Sequence, residues 1–186
     1  MKFNSQFIAL LIMSAVLFTQ NIQAQGKYTL QKSEIVFESK TPIETIRAVN
    51  NNAQGIVVTG KNKFLVRVPI QAFNFKRRLQ QTHFNENYME SDKYPNATYR
   101  GTLEGSYNLN KDGVYKVTTK GDLTIHGVKK PRVVPATITV KKGVATLSTN
   151  FLVKPKEHGV KIPKIVTKKI ADEINVSIKA ELQVRK

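Results

Sequence analysis

Cysteine is absent from the 186-residue sequence. Disulfides, thiolate metal centres, a cysteine nucleophile and a lipidated cysteine at a processing site are therefore excluded. Any core must hold without covalent staples, which a chain of this length can manage. Acidic residues are also few, 13 against 30 Lys and Arg. Three of them, Glu86, Glu90 and Asp92, share one polar segment. They form a candidate acid–base group, although a charged crossover loop explains such a segment as simply. Histidine occurs only at His83, His126 and His158, with no His-x-His or His-x-x-x-His pair to bring two metal ligands onto one element. Neither a Gly-x-Ser-x-Gly elbow nor a glycine-rich phosphate cradle is present. Nothing in the chain carries an enzyme's signature. No metal and no cofactor is expected.

The apolar runs are short too. The longest, Phe7 to Phe18, follows a single charge at Lys2 and precedes Ile22-Gln23-Ala24. A charged start, a brief apolar core and a small residue at the cut are the parts of a secretory signal peptide. A membrane-spanning helix needs roughly twenty apolar residues, so an anchor is disfavoured. Residues 1–24 are thus read as a signal peptide and 25–186 as one exported domain, periplasmic or secreted.

The formal net charge is +17. The basic residues are spread along the chain, and their densest group is Lys154, Lys156, Lys161, Lys164, Lys168 and Lys169. Arginine, the usual base-reading side chain, is missing from that group, so nucleic acid is not an expected partner. A solvated surface is the simpler reading, and an anionic membrane surface or acidic polymer is the alternative.

Period-two alternation is what the chain has in abundance. From Ile174 to Val184 apolar residues occupy every even position, with Asn175, Ser177, Lys179, Glu181 and Gln183 between them. That is a strand with one buried and one wet face. Phe64–Ile70, Tyr99–Tyr107, Val117–Ile125, Val134–Val140 and Leu147–Val153 repeat the pattern. Gly60-Lys61, Asn110–Gly113, Gly127 and Lys142-Gly143 break it at hairpin spacing. Short alternating strands joined by tight turns predict an all-β antiparallel sandwich or barrel. Two interruptions read as helical: Thr41-Pro42 through Arg47, and Phe75 to Tyr88. Lys154 to Lys168 is a long irregular loop. Two sequons, Asn96-Ala97-Thr98 and Asn175-Val176-Ser177, are assigned no role.

Inward positions mix large residues (Phe37, Phe64, Phe151) with small ones (Ser39, Gly101, Thr119, Gly121, Ala136). Small inward residues either leave room for a guest or mark bends and bulges.

Three stretches carry a resemblance. Tyr28-Thr29-Leu30 with Ser33–Phe37, His83-Phe84 with Tyr94–Tyr99, and above all Gly121-Asp122-Leu123-Thr124-Ile125-His126-Gly127-Val128-Lys129-Lys130-Pro131 resemble the motifs of the YceI family. Gln31 and Lys32 depart from it, standing where the family often has Asp and His. The resemblance implies an extended antiparallel, lipocalin-like barrel of about eight strands with one or two short helices. It also implies an exported, non-enzymatic protein that holds a lipid or polyisoprenoid inside. Alternation selects Phe37, Phe64, Val66, Tyr99, Leu103, Leu123, Ile125 and Phe151 as the expected ligand-binding wall. Two other functions remain open. One is a packed interaction module using its basic surface; the other is a hydrolase or metal enzyme built on His83, His126 and nearby carboxylates. Oligomeric state is not legible.

Expression with export should yield a mature chain beginning at Gln25, read by intact mass and N-terminal sequencing. A chain retaining Met1–Ala24 would contradict the signal-peptide reading.

Overall fold

The alternating segment at the C-terminal end forms one strand, Ile174–Val184, and closes the fold by pairing with the first, Lys27–Lys40. The structure is a computed structural model that describes residues 26–163, 166 and 168–185. The expected signal peptide lies outside the described residues. The strands are β1 (Lys27–Lys40), β2 (Thr45–Asn50), β3 (Gln54–Val58), β4 (Lys63–Pro69), β5 (Asn74–Phe75), β6 (Asn96–Glu104), β7 (Gly113–Ile125), β8 (Val128–Lys141), β9 (Val144–Val153) and β10 (Ile174–Val184). All their pairings are antiparallel.

Eight of them form a ring in the order β10-β9-β8-β7-β6-β4-β3-β1, and β1 meets β10 again. The remaining two continue interrupted staves. β2 pairs with the second half of β1 and β3 with its start, so together they flank one strand. β5 likewise pairs with β2 as β4 pairs with β3. At the break the fully buried Asn50 donates from Nδ2 to the Pro69 carbonyl (2.7 Å) and accepts from the Asn52 amide (2.8 Å). Those bonds satisfy backbone that the missing ladder leaves unpaired.

The two ends of the barrel differ. At one end the chain turns tightly at Thr59–Lys61 and Lys142-Gly143, and residues 105–112 fold beneath the staves. Tyr28 donates to Asn110 (3.0 Å), Tyr107 to Asn62 (2.9 Å) and Tyr115 to the Lys111 carbonyl (2.9 Å), pinning that loop. Leu109, Leu103, Ile138 and Leu182 are buried above it. This end is closed.

The other end carries the long connections: the β1–β2 turn, the helix α1 (Arg78–His83) that runs on as a π-helical turn through Tyr88, and the segment between β9 and β10. The helical expectation for Phe75 to Tyr88 is met from Arg78 onward by α1 and this extension, while Phe75 itself belongs to β5. The expectation at Thr41–Arg47 is not met. Thr41 does cap a turn, its Oγ1 accepting from the Ile43 (3.3 Å) and Glu44 (3.1 Å) amides, but Thr45 then enters β2. Pairing of Ser39 with Ile46 and Lys40 with Thr45 outweighs the local helical signal.

The facing pair Gly101 and Gly121 marks a close approach of β6 and β7. A Cβ on Gly101 would lie 2.0 Å from the Lys120 carbonyl oxygen, and one on Gly121 2.1 Å from that of Arg100. The small residues at these two positions therefore mark a constriction between strands. At the β7–β8 and β8–β9 hairpins, His126-Gly127 and Lys142-Gly143 take positive φ at both central residues, as a two-residue type I′ turn requires.

His158 is buried completely beside the first of these turns. Its Nδ1–H donates to the Val128 carbonyl (3.0 Å), and Nε2 has no partner among the described residues. Desolvation by burial is the main influence on its pKa and holds it below the ordinary imidazole value.

Two predictions follow from these contacts. Gly101→Ala should destabilise the fold by about 2 kcal/mol or more, whereas Gly143→Ala, with no atom near its Cβ but a φ of 76°, should cost only about 1 kcal/mol. Urea unfolding ranks them, and equal costs would contradict the constriction. Because the unfolded chain binds a proton at His158 more readily than the fold does, stability from this group is complete above about pH 6.5 and declines below it. Melting temperature should therefore fall with acidification less steeply in His158→Gln; parallel curves would contradict this.

Candidate functional site: an apolar cavity in the barrel

An eight-stave ring leaves an interior just wide enough for packed side chains or one guest. Here it encloses a cavity of about 510 Å³ that runs from the closed end to the α1 end. That size falls within the usual range for small-molecule sites.

All eight residues selected by alternation face this space. Leu103 stands at the closed end, fully packed. Phe64, Val66, Tyr99 and Leu123 form the waist: Tyr99 sits opposite Val66 on one side and Leu123 on the other. The Phe64 and Tyr99 rings meet edge to face with centroids 4.9 Å apart. Phe37, Ile125 and Phe151 line it toward the α1 end. Several of these side chains are only half-buried because the surface they present is the wall of a hollow.

Several polar atoms on the wall are bonded to backbone. The Tyr99 hydroxyl donates to the Thr119 carbonyl (3.1 Å), and the Thr119 hydroxyl to the Val134 carbonyl (2.9 Å). Thr149 donates to the Pro135 carbonyl (2.7 Å), and Ser39 accepts from the Ala171 amide (2.8 Å). Burial raises the Tyr99 pKa, and its bond to Thr119 only partly offsets this, so the phenol stays neutral. What remains facing the hollow is mostly carbon. Charged and strongly polar groups gather instead at the α1 end: Glu44, Arg77, Gln80, His83 and Lys169. Glu44 accepts from Arg77 (3.2 Å) and from Gln80 (2.9 Å), which ties the β1–β2 turn to α1.

The mouth also holds an aromatic cluster that alternation alone does not find. Phe84, from the π-helical turn, stacks on Phe37 (5.7 Å, 22°) and packs on Phe75 (4.9 Å) and Phe73 (5.7 Å). Phe73 meets Phe37 edge-on at 6.2 Å. Ile162, Val166 and Ile170 add to the wall from the lysine-rich segment. A spacing of four residues among lysines was the available signal for those three. Phe84 falls in the His83-Phe84 stretch that carries the family resemblance, but alternation gives it no direction, since its reach depends on where the crossover docks.

The histidines do not converge on the cavity. His83 reaches its rim, but His126 and His158 do not line it. His126 Nε2 pairs with Glu90 (2.6 Å) beneath Tyr94, whose ring centroid is 4.4 Å away. Among the described residues no three His, Asp or Glu side chains are placed to hold a metal ion. No helix among them is long and apolar enough to cross a membrane.

The barrel is similar in fold to several solved structures. A polyisoprenoid binding domain from Saccharophagus degradans superposes with a TM-score of 0.72 at 13% identity, covering 85% of this chain and 98% of that one. BcnA of Burkholderia cenocepacia gives 0.67 at 18% identity, with 80% and 95% covered. The YceI protein of Campylobacter jejuni gives 0.51 at 25% identity, with 67% and 72% covered. A search of curated proteins returned no significant match. The model of the YceI-like domain matches residues 27–182, nearly the whole described barrel, and on that match the chain belongs to the YceI-like family.

Proposed function

We propose that this protein is a binding protein, not an enzyme, that holds the apolar chain of a lipid or polyisoprenoid inside its barrel. The observation that carries this reading is the cavity of about 510 Å³, walled mostly by carbon, whose Tyr99, Thr119 and Thr149 hydroxyls are spent on backbone carbonyls. Such a wall offers a polar guest few partners, and an alkyl or isoprenyl guest loses nothing by that. At about 25 cal/mol per Å², a chain burying roughly 300 Å² of apolar surface gains about 7 kcal/mol before association costs. In this reading Phe37, Phe64, Val66, Tyr99, Leu103, Leu123, Ile125 and Phe151 contact the guest. A polar or acidic head rests at the rim near Arg77 and Lys169. Export to the periplasm or beyond fits a carrier or sequestering role, with an anionic membrane as the neighbouring source or sink. The alternative of a packed module that works only through its basic surface is less favoured, because the interior is hollow.

Titration with a fluorescent polyene lipid tests the assignment. Phe64→Asp with Phe151→Asp should weaken binding by about 100-fold or more, since a buried unpaired carboxylate costs several kcal/mol. Val66→Trp should lower it by filling space while the melting transition stays cooperative. Raising salt should change wild-type affinity little, because an enclosed tail is not held by screened charges. Unchanged affinity in both variants, or steep loss with salt, would reject the cavity as the site.

A further inference from the structure

We infer that the α1 end of the barrel docks on an anionic phospholipid bilayer, with Ile43 and Leu79 entering the interface and the neighbouring lysines and arginines contacting phosphate. The inference rests on the carrier reading, since a guest of that kind must cross between membrane and cavity.

Exposed large hydrophobic residues are the starting point. Among the described residues six of them (Leu65, Val114, Val133, Val144, Leu152 and Val184) lie on strands, with Val114, Val144 and Val184 toward the closed end. Single apolar residues on a surface are ordinary. Ile43 and Leu79 are different. They lie off the strands, 64% and 65% exposed, one on the β1–β2 turn and one on α1. Glu44 joins those two elements through Arg77 and Gln80, so both apolar side chains sit at the same rim. Leu79 is at once exposed to solvent and part of the cavity lining. An apolar path therefore runs from the surface into the hollow.

Charge selects the occupant. Lys76, Arg77 and Arg78 precede Leu79 with no acidic residue among them, and Lys161 to Ile170 contains four lysines and no acid. Lys76, Arg78, Lys161, Lys168 and Lys169 are exposed and form no ion pair with a described residue. In the lysine-rich segment Ile162, Val166 and Ile170 line the cavity while its described lysines are exposed. Apolar side chains turned to the cavity among exposed lysines, with Lys169 at the rim itself, fit a segment that meets an anionic interface. The closed end also carries lysines, but there the cavity has no opening, which makes it the proper control.

The absence of native cysteine allows a direct test. The mature chain is labelled with an environment-sensitive dye at Leu79→Cys, at Ile43→Cys or, at the closed end, at Val144→Cys. Each is mixed with phosphatidylcholine vesicles with and without phosphatidylglycerol. A blue shift at positions 43 and 79 only, and only with phosphatidylglycerol, is expected. In flotation, Lys161→Glu with Lys168→Glu and Lys169→Glu should reduce vesicle binding by about tenfold or more. Lys111→Glu with Lys141→Glu and Lys142→Glu should reduce it far less. No binding, equal loss in both charge variants, or a shift at position 144 would overturn the docking face. So would flotation abolished by dilute acidic polysaccharide with no dye shift, which would mark a polymer-binding surface. Lipid extracted from the purified protein is read separately. Its absence defeats the carrier reading, whereas its presence beside failed flotation defeats only the docking face.

Discussion

The ladder between β1 and β10, from Tyr28 opposite Val184 to Glu38 opposite Asn175, joins the two ends of the described chain and turns an open sheet into a ring. Once the ring is closed at eight staves, its circumference is set by strand spacing and tilt, not by how much side-chain volume the sequence supplies. The inward residues then either fill that fixed space or leave a hollow. At the closed end Leu103, Leu109, Ile138 and Leu182 pack into its floor. Toward α1 the inward residues leave it open.

That hollow is stable as an apolar one because the sequence keeps hydrogen-bonding groups away from it. A hydroxyl aimed into an empty apolar space would be costly, and those of Tyr99, Thr119 and Thr149 turn back onto neighbouring carbonyls instead. Their ladder positions remain tolerable for threonine and tyrosine because the sheet itself supplies acceptors. The gradient from a carbon-lined centre to a charged rim follows from this, and it orients any amphipathic guest with its head at the α1 end. The aromatic cluster around Phe84 occupies that end. On the proposed function, an apolar guest entering there would move from one set of ring contacts to another, with little of its surface exposed on the way.

Much of the barrel is written in the alternation. β10 begins and ends where strict period two begins and ends, and the paired glycine turns fall at the ends of β7, β8 and β9. The eight alternating wall residues face one space because a strand's pleat fixes direction as well as burial. Less legible is whatever depends on tertiary pairing. Thr41 caps a turn as its sequence suggests, yet β2 follows because β1 offers an edge. Asn50 is buried where the stave is interrupted, a break that only the strand pairing reveals. Gly101 and Gly121 read equally well as room for a guest, and only their facing register reveals a close approach of backbones. The contribution of Phe84, Val166 and Ile170 to the mouth depends on segments without a strand's fixed direction; the four-residue spacing of Ile162, Val166 and Ile170 hints at a shared side but not at what it faces.

The claim at the centre is that the interior is a container and not a core. Gentle native mass spectrometry of the mature protein purified from its own host, followed by solvent extraction of the same sample, measures this most directly. The account predicts a mass above that of the polypeptide, and an apolar molecule recovered at about one per chain in the extract. A bare polypeptide mass that stays unchanged after incubation with long-chain isoprenoids and phospholipids would contradict it.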